Sequence, residues 1–175
     1  MATTNTVLFV IASVDYQPIE YSVPKKLLEQ AGFKVITASD QEGTAVANDG
    51  TSTEVDMLVG NASISDYDGI FFVGGPGSLE HLDNDISYKL ITAMVQARRP
   101  VGAICAATRI LAHAGILRGK RATGWNGDNA LPGIYKELEV QYDPKDVVID
   151  DHIITATGPN AAREYGEQII ALLQE

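Results

Sequence analysis

The run Val7-Leu8-Phe9-Val10-Ile11-Ala12 is apolar throughout, with no polar position to turn toward water. A strand solvated on one side alternates in polarity. A continuous apolar run fits a strand buried on both faces, as in a parallel sheet covered by helices on either side. Residues 34–38, 70–73 and 101–104 also read as strands, and the segments between them are long enough for helical crossovers. The chain is therefore predicted to be α/β: a flavodoxin-like, doubly wound sandwich with a mostly parallel sheet and helices on both faces.

The remaining elements follow from local signals. Residues 18–24, which hold both Pro18 and Pro24, lead into a helix over 25–32 whose end is marked by Gly32. A second helix spans residues 87–99 and stops before Pro100. Residues 41–61 are mixed in polarity and are predicted to form a hairpin that includes a strand over 54–59. Strands over 146–149 and 153–157 flank the turn Asp150-Asp151-His152, and a last helix over 161–173 opens with Asn160 as its N-cap. No repeat, low-complexity tract or linker interrupts the pattern. With 175 residues, one domain over 1–175 is the expectation.

Composition narrows the function classes. A net charge of −10 repels phosphate backbones and anionic lipid, so neither nucleic acid nor membrane is an expected partner. No apolar stretch approaches the length of a membrane span, and Met1–Ser13 lacks the basic start of a signal peptide. A cytoplasmic location is expected, consistent with a single cysteine that has no internal partner. One cysteine and three scattered histidines, His81, His113 and His152, show no ligand spacing, so no metal is expected. Gly74-Gly75-Pro76-Gly77-Ser78 lacks the lysine of a P-loop and is not a dinucleotide fingerprint, so no nucleotide or other cofactor is expected.

The single cysteine, Cys105, follows the strand Val101-Gly102-Ala103-Ile104 and precedes a helical segment. That is the setting of a nucleophile elbow, in which the attacking residue occupies a strained turn and its neighbours two positions away are small, here Ala103 and Ala107. The start of a helix also favours a thiolate, so a lowered thiol pKa is expected. The glycine loop at residues 74–77 follows another strand. In a parallel sheet it lies on the same carboxyl edge as Cys105, where the amides of Gly75 and Ala106, with Gly74 beside them, can form an oxyanion hole.

The glycine loop, Ala103-Ile104-Cys105-Ala106-Ala107-Thr108-Arg109 and Ala156-Thr157-Gly158-Pro159-Asn160-Ala161-Ala162-Arg163, in that order, together resemble the DJ-one/PfpI superfamily, whose fold is that of the class I glutamine amidotransferases. The resemblance runs nearly end to end. It implies a reactive cysteine at the elbow and a glutamate at the start of the first helix that donates a hydrogen bond to the sulfur, which here is Glu20. A carboxyl beside a thiolate has its own pKa raised, because two like charges at close range do not both ionise cheaply.

The chain also departs from the family pattern. Protease-like members carry histidine directly after the nucleophile, where this chain has Ala106. Members with deglycase or glyoxalase activity often carry histidine at the end of the strand after the elbow helix, and here that position is Trp125. The arginine usual before the late Gly-Pro is Thr157. Asn126 and Asp128 after Trp125, and Asp15 and Tyr16 in the loop after the first strand, are expected to complete the substrate pocket.

The resemblance implies an enzyme in which Cys105 attacks a small reactive carbonyl or a glycated group, with Glu20 moving the proton. The same nucleophile suits another electrophile such as an isonitrile or an amide. The alternative is a non-enzymatic oxidative-stress sensor in which Cys105 is oxidised to sulfinate. A homodimer or larger homo-oligomer is also implied.

Overall fold

The computed structural model describes residues 4–175 of the chain. Strands β1 (Thr6–Ile11), β2 (Val14–Tyr16), β3 (Lys34–Ser39), β4 (Thr44–Ala47), β5 (Ser52–Glu54), β6 (Met57–Leu58) and β7 (Gly69–Phe72) occupy the first half, with helix α1 (Pro18–Gln30) between β2 and β3. Helices α2 (Pro76–Leu82) and α3 (Asp85–Gln96) lead to β8 (Val101–Ile104), a 3-10 turn over Cys105–Ala107, and helix α4 (Thr108–His113). The chain continues through β9 (Arg121–Ala122), α5 (Leu131–Glu137), β10 (Gln141–Tyr142), β11 (Val147–Asp150), β12 (Ile153–Ala156) and α6 (Ala162–Leu173).

The main sheet has the order β11-β12-β8-β7-β1-β3-β6; only the edge strand β11 runs antiparallel to its neighbour. Both faces are covered, which explains the continuous apolar runs. Along β1, Leu8 and Val10 join the core under α3, α4 and α5, while Val7, Phe9 and Ile11 join the core under α1 and α6. In β7 the same alternation sends Ile70 and Phe72 one way and Phe71 the other. The mostly parallel doubly wound sheet expected from the sequence is the fold.

Several local expectations are corrected. α1 begins at Pro18 rather than after Pro24, because Gln17 caps it through Oε1, which accepts from Ile19 N (2.7 Å) and Glu20 N (2.9 Å), and Pro18 sits at a first-turn position needing no N–H partner. Pro24 therefore lies inside the helix, with no N–H to give the Glu20 carbonyl one turn back. α3 ends at Gln96, followed by Arg98 at φ 56°. The hairpin is β4 against β5, and β6 leaves it to extend the main sheet beside β3. Asn160 caps nothing: it lies within the 3-10 turn Pro159–Ala161, and α6 has no side-chain cap.

Candidate active site

The carboxyl edge of the sheet gathers the loops after β1, β7, β8 and β12 in one place. Cys105 directly follows β8 with φ 62°, a left-handed backbone for a non-glycine residue, so the thiol is held at a strained turn as an elbow requires. The turn is pinned by its own carbonyl, which accepts from Thr108 Oγ1 (2.9 Å) and Trp125 N (3.2 Å). Little room surrounds it. A Cβ at Gly74 would lie 2.7 Å from the Cys105 Cβ and 2.6 Å from Glu20 Oε2, so only glycine allows strand β7 to end beside this pair.

Glu20 is fully buried. Its Oε2 accepts from the Gly74 N–H at 2.9 Å, while Oε1 has no N–H or O–H partner. The carboxyl's other neighbour is the Cys105 thiol, and the two interact. Burial pushes the Glu20 carboxyl up to about 7, against the hydrogen bonds with Cys105 and the Gly74 amide that favour its charged form. The thiol is pushed up to about 12, first by burial and then by the Glu20 carboxyl; the Ala106 and Gly75 amides beside it pull the other way.

The expected lowering of the thiol pKa is therefore corrected. Cys105 is only 9% exposed, and a nearby carboxylate outweighs two amide dipoles. With a second negative charge so unfavourable, the pair keeps one proton between them over a wide range above pH 7.

The thiol opens onto a cavity of about 410 Å³ lined by Gln17, Glu20, Asn48, Gly75, Pro76, Cys105, Ala106, Trp125 and Pro159. The structure thus brings Cys105, Glu20, Gly74, Gly75, Ala106 and Trp125 together. It does not bring Asp15, Tyr16, Asn126 or Asp128 to the lining. Asp15 is exposed at φ 58°, and its carbonyl faces Gly75. The Tyr16 ring is buried in the core with its hydroxyl 2.8 Å from Thr53 Oγ1. Asn126 accepts from the Leu131 N–H at the start of α5 (3.1 Å). Asp128 accepts from Arg109 Nη2 (2.8 Å) and the Ala130 N–H (3.1 Å).

The residues that take their place were missed. Gln17 is brought in by its role as the α1 cap and Asn48 by the β4–β5 hairpin; neither carries a sequence signal. The histidines are elsewhere: His81 faces Asp40 (3.3 Å), His113 faces Asp83 (2.7 Å) and His152 faces Asp151 (3.4 Å). Thr157 reaches toward Asp146 rather than the cavity. Among the described residues no group of three histidine, cysteine or acidic side chains is placed to hold a metal ion, and no helix is long and apolar enough to cross a membrane.

The arrangement matches known proteins over almost its full length. An uncharacterized protein of Methanocaldococcus jannaschii is 33% identical over 170 residues, covering 97% of this chain and 82% of that protein. A deglycase of Pyrococcus horikoshii is 26% identical, covering 96% of this chain and 99% of the enzyme. The crystal structure of a ThiJ/PfpI domain protein from Brachyspira murdochii superposes with a TM-score of 0.93 at 27% identity, covering 99% of this chain and 98% of that one. The DJ-1/PfpI family model matches residues 5–172. The chain belongs to the DJ-1/PfpI family.

Proposed function

We propose that the protein is a cofactor-free enzyme that uses Cys105 as a nucleophile on small reactive carbonyl compounds or glycated groups, in the manner of a glyoxalase or deglycase. The observation that carries this reading is the constellation on the cavity floor: a strained thiol, a buried carboxyl that shares its proton, and the Gly75 and Ala106 amides aimed at the sulfur. The family relative from Pyrococcus horikoshii, a deglycase, supports it.

An α-oxoaldehyde is the simplest substrate of this kind. The sulfur attacks the aldehyde carbon, a C–S bond forms, and the carbonyl electron pair moves to oxygen, where the two amides receive it. The thiol proton, held by Glu20, then neutralises that oxygen to give a hemithioacetal. Glu20 removes the hydrogen of the former aldehyde carbon as a proton, giving an enediolate, and returns it to the adjacent carbon while the hydroxyl proton passes to the neighbouring oxygen, leaving a thioester. Water hydrolyses the thioester to the α-hydroxy acid and frees the thiol. Among the described residues Glu20 is the only acid or base in the lining besides the thiol, so it serves every proton transfer.

The sensor reading asks for an accessible, low-pKa thiol. The small exposure of Cys105 counts against it. Proteolysis lacks a base beside the nucleophile, where Ala106 stands.

The test is turnover of methylglyoxal to lactate by the wild type and by Cys105→Ser, with mass spectrometry of the protein before and after mild peroxide. Lactate from the wild type only is expected. No turnover, together with a gain of two oxygens on Cys105, would replace the enzyme by the sensor or by a different electrophile.

A further inference from the structure

Trp125 stands at the cavity wall where the family's carbonyl-processing members often carry histidine, and it is 40% exposed. It is braced from behind. The Arg109 guanidinium lies 5.5 Å from the indole centroid, and its Nη2 reaches both the Trp125 carbonyl (3.4 Å) and Asp128 (2.8 Å). Arg109 is only 7% exposed, so this charge is held against the ring by the packing of the elbow helix. On its other flank the ring meets the chain at Gly127, where a Cβ would lie 2.6 Å from the indole.

The rest of the lining has a consistent character. Pro76, Ala106 and Pro159 are apolar, and Gln17 and Asn48 are polar but uncharged. The Gln17 oxygen is committed to the first turn of α1, which leaves its NH₂ as the end free to donate to a ligand. Among the described residues no cationic side chain lines the cavity; the Arg109 guanidinium is engaged by Asp128 and Trp125. Above pH 7 the Glu20–Cys105 pair carries one negative charge wherever its proton sits. An anionic substrate would bring a second negative charge into an apolar pocket with nothing to pair it.

We infer that Trp125, positioned by Arg109, is a specificity-determining residue that shields the cavity from bulk water and makes it select small uncharged electrophiles that pair an apolar substituent with hydrogen-bond acceptors. The inference rests on the reactive-cysteine reading above and narrows its substrate class. Trp125 touches the ligand. Arg109 acts through it.

Because Cys105 is the only thiol, its alkylation rate reads the cavity without requiring turnover. The experiment compares iodoacetamide with iodoacetate at pH 8 on the wild type, Trp125→Ala, Trp125→Phe and Arg109→Lys, with thermal unfolding of each to confirm folding. A small uncharged free thiol is the reference. In the wild type the iodoacetamide-to-iodoacetate rate ratio should exceed that of the free thiol by about tenfold or more, the order expected for a like charge at contact distance in a partly desolvated site. Trp125→Ala admits water and should bring the ratio down by about threefold or more, whereas Trp125→Phe, which restores an apolar wall, should hold it. Arg109→Lys keeps the charge but loses the planar contact, so the ratio should fall and the emission of the chain's only tryptophan should move to longer wavelength.

A wild-type ratio equal to that of the free thiol overturns the inference. So does a ratio unchanged in both Trp125→Ala and Arg109→Lys. A thiol inert to both reagents overturns the reactive-cysteine reading itself, so the two failures are distinguishable.

Discussion

Glu20 holds a carboxyl with no solvent exposure and one oxygen lacking an N–H or O–H partner, an arrangement that costs stability once the group ionises. Its pKa rises from 4.5 to about 7 on folding, so the unfolded chain gives up this proton at lower pH than the folded one. Between those values the unfolded state binds fewer protons. The contribution of Glu20 to stability is therefore greatest below 4.5, falls as pH rises toward 7, and stays lower above it. At about 1.4 kcal/mol per unit the loss is on the order of 3 kcal/mol. Glu20→Gln keeps an oxygen for the Gly74 amide and carries no charge. It should raise stability at pH 8 by about 1–3 kcal/mol and change little at pH 4, as urea denaturation at the two pH values would show. The same variant removes the repulsion on Cys105, so the alkylation profile should lose its rise near pH 7 and show a single thiol titration below about 12. The cysteine and the glycine loop were legible in the sequence, because small neighbours at an elbow leave a local pattern. Glu20 was legible only through family resemblance, since a glutamate on an amphipathic helix reads as a surface residue until the sheet is known to close over it. Tyr16, Asn126 and Asp128 are near the site along the chain, but their side chains point into the core, a helix start and an ion pair. Nearness in sequence carries no direction.

At the level of elements, the glycine loop joins two layers as well as supplying amides. Gly75 adopts φ 107°, and the Gln17 N–H donates to the Gly74 carbonyl at 3.0 Å, which ties the start of α1 to the end of β7. At Gly77 a Cβ would lie 1.8 Å from the Val14 carbonyl, a backbone atom that no rotamer change can move. Gly77→Ala must therefore push α2 away from β2, at a cost of about 3 kcal/mol or more. It should also slow Cys105 alkylation, because β2 leads directly into Gln17 and Glu20. Gly133→Ala is the control: nothing lies within 4 Å of its Cβ, and in helix α5 the change should be neutral or stabilising by about 0.5–1 kcal/mol. Thermal unfolding with alkylation kinetics on the two variants separates these outcomes. The strands of the main sheet were visible from the sequence because burial on both faces leaves an unbroken apolar run. Of the small sheet β2-β4-β5 only a hairpin within residues 41–61 was visible, with its second strand misplaced, and the β9–β10 pairing was not. These strands are two to four residues long and mostly polar or half-exposed, so their pairing is set by where the larger sheet places the chain ends.

Across the whole molecule, the site depends on how α1 seats against the sheet, and α1 is held from outside by α6. Gly166 in α6 is the point of closest approach: a Cβ there would lie 2.9 Å from Leu27 Cδ1 and 3.0 Å from Pro24 Cα. Leu27 has a flexible end that can turn aside, but the Pro24 backbone cannot, so Gly166→Ala separates the two helices by a few tenths of an ångström at least. Overpacking of this kind costs about 1–3 kcal/mol. The consequence reaches further than stability. Glu20 lies one turn before Pro24 on the same helix, so displacing α1 moves the carboxyl relative to the Gly74 amide and to the thiol. Gly166→Ala should thus lower the unfolding midpoint and also alter the pH dependence of Cys105 alkylation, although no atom of residue 166 lines the cavity. A core substitution on the opposite face of the sheet, such as Leu90→Ala in α3, should lower stability by about 2–5 kcal/mol and leave the alkylation profile in place, because that layer packs against neither α1 nor α6. Comparing the two variants tests whether one helix layer alone transmits strain to the thiol. If Leu90→Ala shifts the profile as much as Gly166→Ala, the site is coupled to the whole core rather than to the packing of α1 on α6.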